Sequence, residues 1–163
     1  MYHNTSSTDT RNIIRQKEIN MQCEMATVNA NKDEIKEIFA QTKTIVIVGL
    51  SPNESKDSNK VARYLQDNGF DIIPIYPKED EILGQKVYRS LLEIPSEIKI
   101  DMVNIFRKPA VVSSVVDACI KRGDVDIVWS QIGIVNNQAM QKAKENGMKI
   151  VQNHCTMVEH RNL

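Results

Sequence analysis

A chain of 163 residues with 41% hydrophobic content can bury the core of one domain and is too short for two ordinary ones. Its 21 lysines and arginines balance 21 aspartates and glutamates, so neither a nucleic-acid-binding field nor an acidic solvated tail is indicated, and any anion site must be local. No apolar run reaches the roughly 18 residues of a membrane span, and the polar start MYHNTSSTDTRN lacks a signal peptide's apolar core. Cys23, Cys119 and Cys155 are odd in number and lack metal-ligand spacing. The chain therefore reads as cytoplasmic, in a reducing compartment, with no nucleic acid or membrane as partner.

Residues 1–31 form a polar leader in which Ile13, Ile14, Ile19, Met21 and Met25 fit a helical period only loosely. A single domain is expected over residues 32–163. It opens with NKDEIKEIFAQT, a short helix capped by Asn31 or Asp33, with Ile35, Ile38 and Phe39 on one face. TIVIVGL follows, a β-branched run without alternation, as a parallel strand covered on both faces requires. SNKVARYLQDNGF then predicts a helix with Ser58 as N-cap, Val61, Ala62 and Leu65 inward, and Asn68-Gly69 as its stop.

DIIPIYP is a second strand, containing a proline that cannot donate to a ladder. QKVYRS is expected as a short third strand at the sheet edge, with a helical turn at SLLEIP, and IDMVNIF as a fourth strand. KPAVVSSVVDACIKRG is a helix with Pro109 in its first turn and Gly123 at its end. VDIVWSQ, the helix NNQAMQKAKENG and MKIVQN complete the series before a polar tail. Such alternation implies an α/β, Rossmann-like doubly wound, mainly parallel sheet of five to six strands, with helices on both faces and the order 3-2-1-4-5-6. In that wiring the ligand crevice opens between the first and fourth strands, so VGLSPNESKDSN faces FRKP.

The first loop matches neither GxGxxG nor GxxxxGK[ST], because after Gly49 its next fingerprint position is Ser51. It still suits an anion. Ser51, Ser55, Ser58 and Asn59 precede or open a helix whose free N–H groups favour negative charge, and Lys56, Lys60 and Arg63 add local positive charge. The simpler reading leaves Ser58 as a cap and the lysines solvated. At the end of the second strand, YPK places Lys78 where NAD-dependent enzymes commonly have an acid. Lys78 suits a ribose phosphate, as in NADP or coenzyme A, and equally suits an ordinary surface position. Arg107 at the switch point can hold a phosphate bidentately or pair with Asp101 or Glu79.

The ordered blocks IVIVGLSPNESKDSNKVARYLQDNGFDIIPIYPK, ILGQKVYRSLLEIP, DMVNIFRKP, VWSQIGIVN and CTMVEH, over residues 43–161, resemble the small CoA-binding domain proteins related to the CoA-binding domain of the succinyl-CoA synthetase alpha subunit. QNHC stands where that family often has an aspartate and an arginine before the cysteine. The resemblance implies noncatalytic binding of coenzyme A or a short acyl-CoA. It implies further that Gly49, Ser51 and Asn53 line the pyrophosphate and pantetheine entrance, with Ser58 and Asn59 at the helix start and Lys78 approaching the ribose phosphate. Phe106, Arg107 and Lys108 would flank the ligand, and Trp129, Gln131 and Gly133 would form its far wall.

No catalytic set is evident. Cys155 is a candidate nucleophile, with His154 or His160 available to stabilise a thiolate, and fits a structural thiol as well. Cys119 lies on an apolar helix stripe and belongs to the core. Trp129 suits ligand stacking and core filling alike. Glu159-His160 falls short of a metal cluster. Two other functions remain compatible with the same fold: an NADP-dependent oxidoreductase using the same crevice, and an interaction protein without ligand.

Overall fold

The computed structural model describes residues 25–163; the expectations for the leader before residue 25, including Cys23, lie outside the described residues. Five parallel strands form the sheet: β1 (Thr44–Val48), β2 (Asp71–Ile75), β5 (Met102–Ile105), β6 (Ile127–Ser130) and β7 (Lys149–Val151), in the order β2-β1-β5-β6-β7. A small antiparallel hairpin, β3 (Glu81–Ile82) and β4 (Gln85–Lys86), stands apart from it. Helices α1 (Lys32–Gln41), α2 (Asp57–Asp67) and α5 (Thr156–Arg161) cover one face, and α3 (Pro109–Arg122) and α4 (Asn137–Glu145) the other.

The β-branched run of β1 shows why both faces are covered. Ile45 and Ile47 turn toward Ile38 and Leu65, whereas Val46 and Val48 turn toward Val112 and Met140. All four are buried, as expected when helical crossovers shield each side of a parallel sheet. The helix ends follow local chemistry. Asn31 Oδ1 accepts from Glu34 N–H at 2.9 Å while Glu34 Oε1 accepts from Asn31 N–H at 3.3 Å, a reciprocal cap for α1. Asn136 Oδ1 accepts from Ala139 N–H to open α4, and Gly123, with φ of 84°, closes α3.

Two expectations need correction. QKVYRS is not a third sheet strand: Gln85 and Lys86 fold back on Glu81 and Ile82 through Leu83 and Gly84, both with positive φ. Only Tyr88 reaches the sheet, in a single parallel bridge to Ile75. Tyr88 N–H donates to Pro74 O at 3.0 Å, so Pro74 turns its donor-free edge away from β1 and interrupts no bond of the main ladder. The polar tail is likewise a helix, α5, in which Met157 and His160, three residues apart, both pack inward.

Residues 25–31, grouped with the leader by sequence, lie along the β7 side of the domain. Asn29 Oδ1 accepts from Gln152 N–H at 3.0 Å and Asn29 Nδ2 donates to Gln152 O at 2.9 Å. Gln152 Nε2 in turn donates to Val28 O and to Asn137 Oδ1, both at 2.8 Å.

Candidate functional site

Strand order reverses between β1 and β5, and their carboxyl ends open into one crevice. Gly49 turns the chain there with φ of 86°, donating its N–H to Ile75 O at 2.9 Å. A Cβ on Gly49 would stand 2.9 Å from Arg107 Cδ and 3.2 Å from Phe106 O, so glycine is required both by the left-handed backbone and by the approach of the second loop.

The loop from Ser51 to Lys56 is shaped by its own side chains. Asn53 Oδ1 accepts from Ser55 N–H and Oγ–H, and Ser51 Oγ accepts from Asn53 N–H. Ser58 does not cap α2. The helix begins two residues earlier, at Asp57 after Lys56, with no side-chain cap, and Ser58 Oγ instead accepts from Ser51 N–H at 3.0 Å. Asn59 Nδ2 donates to Ser51 O at 2.8 Å. Both side chains are buried, so the first turn of α2 grips the loop while its N-terminus stays uncapped and able to take an anion.

Two cavities adjoin in this crevice. One, of about 390 Å³, is lined by Gly49, Ser51, Lys56, Ser58 and Tyr76, and the other, of about 200 Å³, by Val61, Gln131, Ile134, Cys155 and Met157. Asp57 and Phe106 belong to both walls, so the cavities meet at those residues. The first is rich in hydroxyls and carries Lys56 beside the shared Asp57 carboxylate; the second is mostly apolar, with Lys60 and the 68% exposed Ile132 also at its wall. A wider groove of about 630 Å³ between α3 and α4 shares no residue with either and is crossed by the Lys142–Asp117 ion pair.

Lys56, Lys60, Lys78, Arg107 and Lys108 are exposed, and among the described residues none of them forms an ion pair. Asp101, an alternative partner for Arg107, instead accepts from Lys43 and Thr44 N–H and lies 3.6 Å from Lys99. Lys78 does not line either cavity. Its carbonyl is one of three, with Tyr76 and Glu79, that accept from Arg89 Nη1 at 2.7 to 3.0 Å. Sequence reasoning missed Arg89, which organises the loop that presents Tyr76 and Lys78. Lys108 precedes α3, and Gly133, with φ of 83°, donates its N–H to Asn153 Oδ1; neither lines a cavity.

The proposed far wall divides. Trp129 is fully buried, packs on Phe39 with centroids 5.4 Å apart, and donates Nε1–H to His154 O at 2.7 Å. It cannot stack on a ligand in this position; its large ring and single donor are both satisfied by the core. Gln131 does reach the cavity wall. Its Nε2 donates to Asn104 Oδ1 and Thr156 Oγ1, both at 2.9 Å, so both amide hydrogens are committed to a buried network. Asn104 and Thr156 lie within the blocks DMVNIFRKP and CTMVEH, but neither block shows that the two meet.

Of the thiols, Cys119 is buried, and loss of solvation pushes it up to about 12. Cys155 is half-buried and lines the apolar cavity. Each imidazole considered beside it has its Nδ1 turned to another residue: His154 Nδ1 lies 3.0 Å from Glu159 Oε1, and His160 Nδ1 lies 2.8 Å from Tyr64 Oη. Among the described residues no group of three or more His, Cys, Asp or Glu could hold a metal, and no helix is long and apolar enough to cross a membrane.

Residues 43–161 match the family described as "CoA binding domain". An uncharacterised Bacillus subtilis protein, YneT, is 39% identical over 132 residues, covering 81% of this chain and 96% of that protein. An ADP-forming acetate–CoA ligase of Methanocaldococcus jannaschii is 32% identical over 120 residues, covering 69% of this chain and only 17% of the ligase. A solved structure of a hypothetical protein from Pyrococcus horikoshii superposes with a TM-score of 0.78 at 39% identity, covering 86% of this chain and 97% of that one.

Proposed function

The chain belongs to the CoA-binding domain family, and from that premise we propose that it binds coenzyme A or a short acyl-CoA reversibly, without turning it over. The observation that carries this reading is the meeting of a hydroxyl-lined polar cavity, which holds Lys56, with a mostly apolar one at Asp57 and Phe106. Coenzyme A has the same division, phosphates at one end and a pantetheine arm at the other. The uncapped start of α2, with Ser51, Ser58 and Lys56, takes the pyrophosphate. Arg107 supports it from above Gly49, and Lys78 reaches the ribose phosphate from the rim.

The pantetheine arm passes Phe106 and lies against Val61, Ile134 and Met157. Asn53 and Asn59 hold the loop for this task rather than touching the ligand, and Trp129 backs the site from the core. Lys108 and Gly133 frame its edges. The free thiols of Cys119 and Cys155 support a cytosolic, reducing setting.

Thermal-shift and calorimetric comparison of CoA, dephospho-CoA, NADP and NAD tests the reading. CoA should bind most tightly. NADP binding as tightly as CoA would favour an oxidoreductase in the same crevice, and no binding by any of the four would favour an interaction protein.

A further inference from the structure

We propose that Cys155 is a thiol–disulfide exchange site for coenzyme A, at which a CoA disulfide seated in the crevice transfers one CoA to Cys155 Sγ. This rests on the CoA-binding reading above. Cys155 stands in the wall of the apolar cavity, which joins the phosphate cavity at Asp57 and Phe106. A ligand held by its phosphates on one side of Phe106 therefore sends its far end toward Cys155, and in CoA that end is sulfur.

A second feature of the same cavity points to the arm. Gln131 is only 5% exposed, and both hydrogens of its amide nitrogen go to Asn104 and Thr156. Its oxygen, Oε1, has no partner among the described residues and is not among the sealed, unsatisfied polar atoms, so it is an open acceptor in a side chain that lines the cavity. The last amide of pantetheine carries an N–H two methylenes from the sulfur. Seated on Gln131 Oε1, that N–H brings the sulfur to the wall that holds Cys155.

The exchange balances without another reagent. Cys155 loses its proton to solvent, and its thiolate attacks one sulfur of the CoA disulfide. One S–S bond breaks and one forms; a CoA thiolate leaves and takes up a proton. The protein thiol is oxidised to the mixed disulfide, and half of the reagent is reduced. The protein's contribution is the local concentration of the bound disulfide beside Sγ. Cys119, buried and hard to ionise, is excluded from the same reaction.

The test is intact-mass and peptide mapping of the reduced full chain after incubation with CoA disulfide, with pantethine as the disulfide that lacks the nucleotide. The expected result is one CoA per chain, on Cys155, formed at least about tenfold faster than the pantethine adduct and slowed by excess desulfo-CoA. Cys23→Ser should retain the adduct and Cys155→Ser should lose it. Calorimetry with desulfo-CoA on the unmodified chain separates the two readings. Binding of desulfo-CoA together with a Cys155 adduct no faster than that of pantethine, or an adduct on Cys23 instead, overturns the exchange site alone. Absence of desulfo-CoA binding overturns both.

Discussion

Gly49 lies directly beneath Arg107: a methyl group in place of its hydrogen would come within 2.9 Å of Arg107 Cδ, while the backbone already has φ of 86°. One residue thus carries two separate costs of substitution. Gly49→Ala is expected to lower stability by about 1–3 kcal/mol, measured by urea unfolding. Part of that loss should return in the Gly49→Ala/Arg107→Ala double variant, because the flexible Arg107 stem is removed while the backbone strain remains. Strict additivity of the two changes would show that the contact contributes nothing.

Lys78 and Arg107 should separate by ligand. If Lys78 meets the ribose phosphate, Lys78→Ala weakens CoA roughly two- to fivefold and leaves dephospho-CoA unchanged, as suits an exposed ion pair. Arg107→Ala should weaken both ligands alike, because the pyrophosphate is common to them. Calorimetric titration of each variant with each ligand gives the four affinities. A Lys78→Ala variant that loses equal affinity for both ligands contradicts the role given to that lysine.

Arg89 holds the carbonyls of Tyr76, Lys78 and Glu79 together, so its removal should release the loop without touching a ligand. Arg89→Ala is expected to cost about 1–2 kcal/mol of stability. It should also reduce the preference for CoA over dephospho-CoA although Lys78 is still present. Unchanged discrimination would mean that Lys78 needs no fixed backbone to act.

Cys119 ties stability to alkaline pH. Its thiol is held protonated up to about 12 in the folded chain, whereas in the unfolded chain it ionises near the ordinary thiol value. Above the unfolded value the unfolded chain sheds this proton and the folded chain keeps it. The contribution is fully present at neutral pH and is lost as pH rises through roughly 9 toward 12, at a limiting slope of about 1.4 kcal/mol per pH unit. Cys119→Ala should shed that part of the alkaline slope, read from urea midpoints across pH, whatever the packing loss does to its stability at pH 7. A slope identical to that of the unmodified chain would contradict the assignment.

Patterning was enough for the five strands of the sheet and the two long crossovers, though not for QKVYRS, because β-branched runs and helical stripes record burial on one face or two. Ile45 to Val48 and the Val112, Val116, Cys119 stripe were legible for that reason. The Leu83-Gly84 turn was not, since a leucine with positive φ is held by its neighbours rather than by its own preference. Ser58 was misread as a cap because its residue type fits two local bonds, and only the three-dimensional path of the loop selects Ser51 N–H over the helix.

In the candidate site, loops named by position after β1 and β5 were found where the strand order places them. The contributions of Tyr76, Arg89, Asn104 and Thr156 come from contacts across the chain, which the blocks that contain them do not reveal. Trp129 shows the reverse limit: one aromatic residue at the end of a strand satisfies a core and a ligand wall equally well until its neighbours are known.

The paired bonds between Asn29 and Gln152, with the lone bridge from Tyr88 to Ile75 at the opposite side, have a bearing on how this protein behaves at high concentration. A parallel sheet has two open margins, and each invites another chain to extend it. Here one margin is met by an asparagine side chain that imitates a neighbouring peptide group, and the other by a single tyrosine held at a proline. Each closure is one residue long: it satisfies Gln152 at one margin and Pro74 and Tyr76 at the other, and is too short to offer a template. Replacing Asn29 would free the N–H and C=O of Gln152, the residue that follows β7, and greater self-association through that margin is the expected outcome, measured by light scattering.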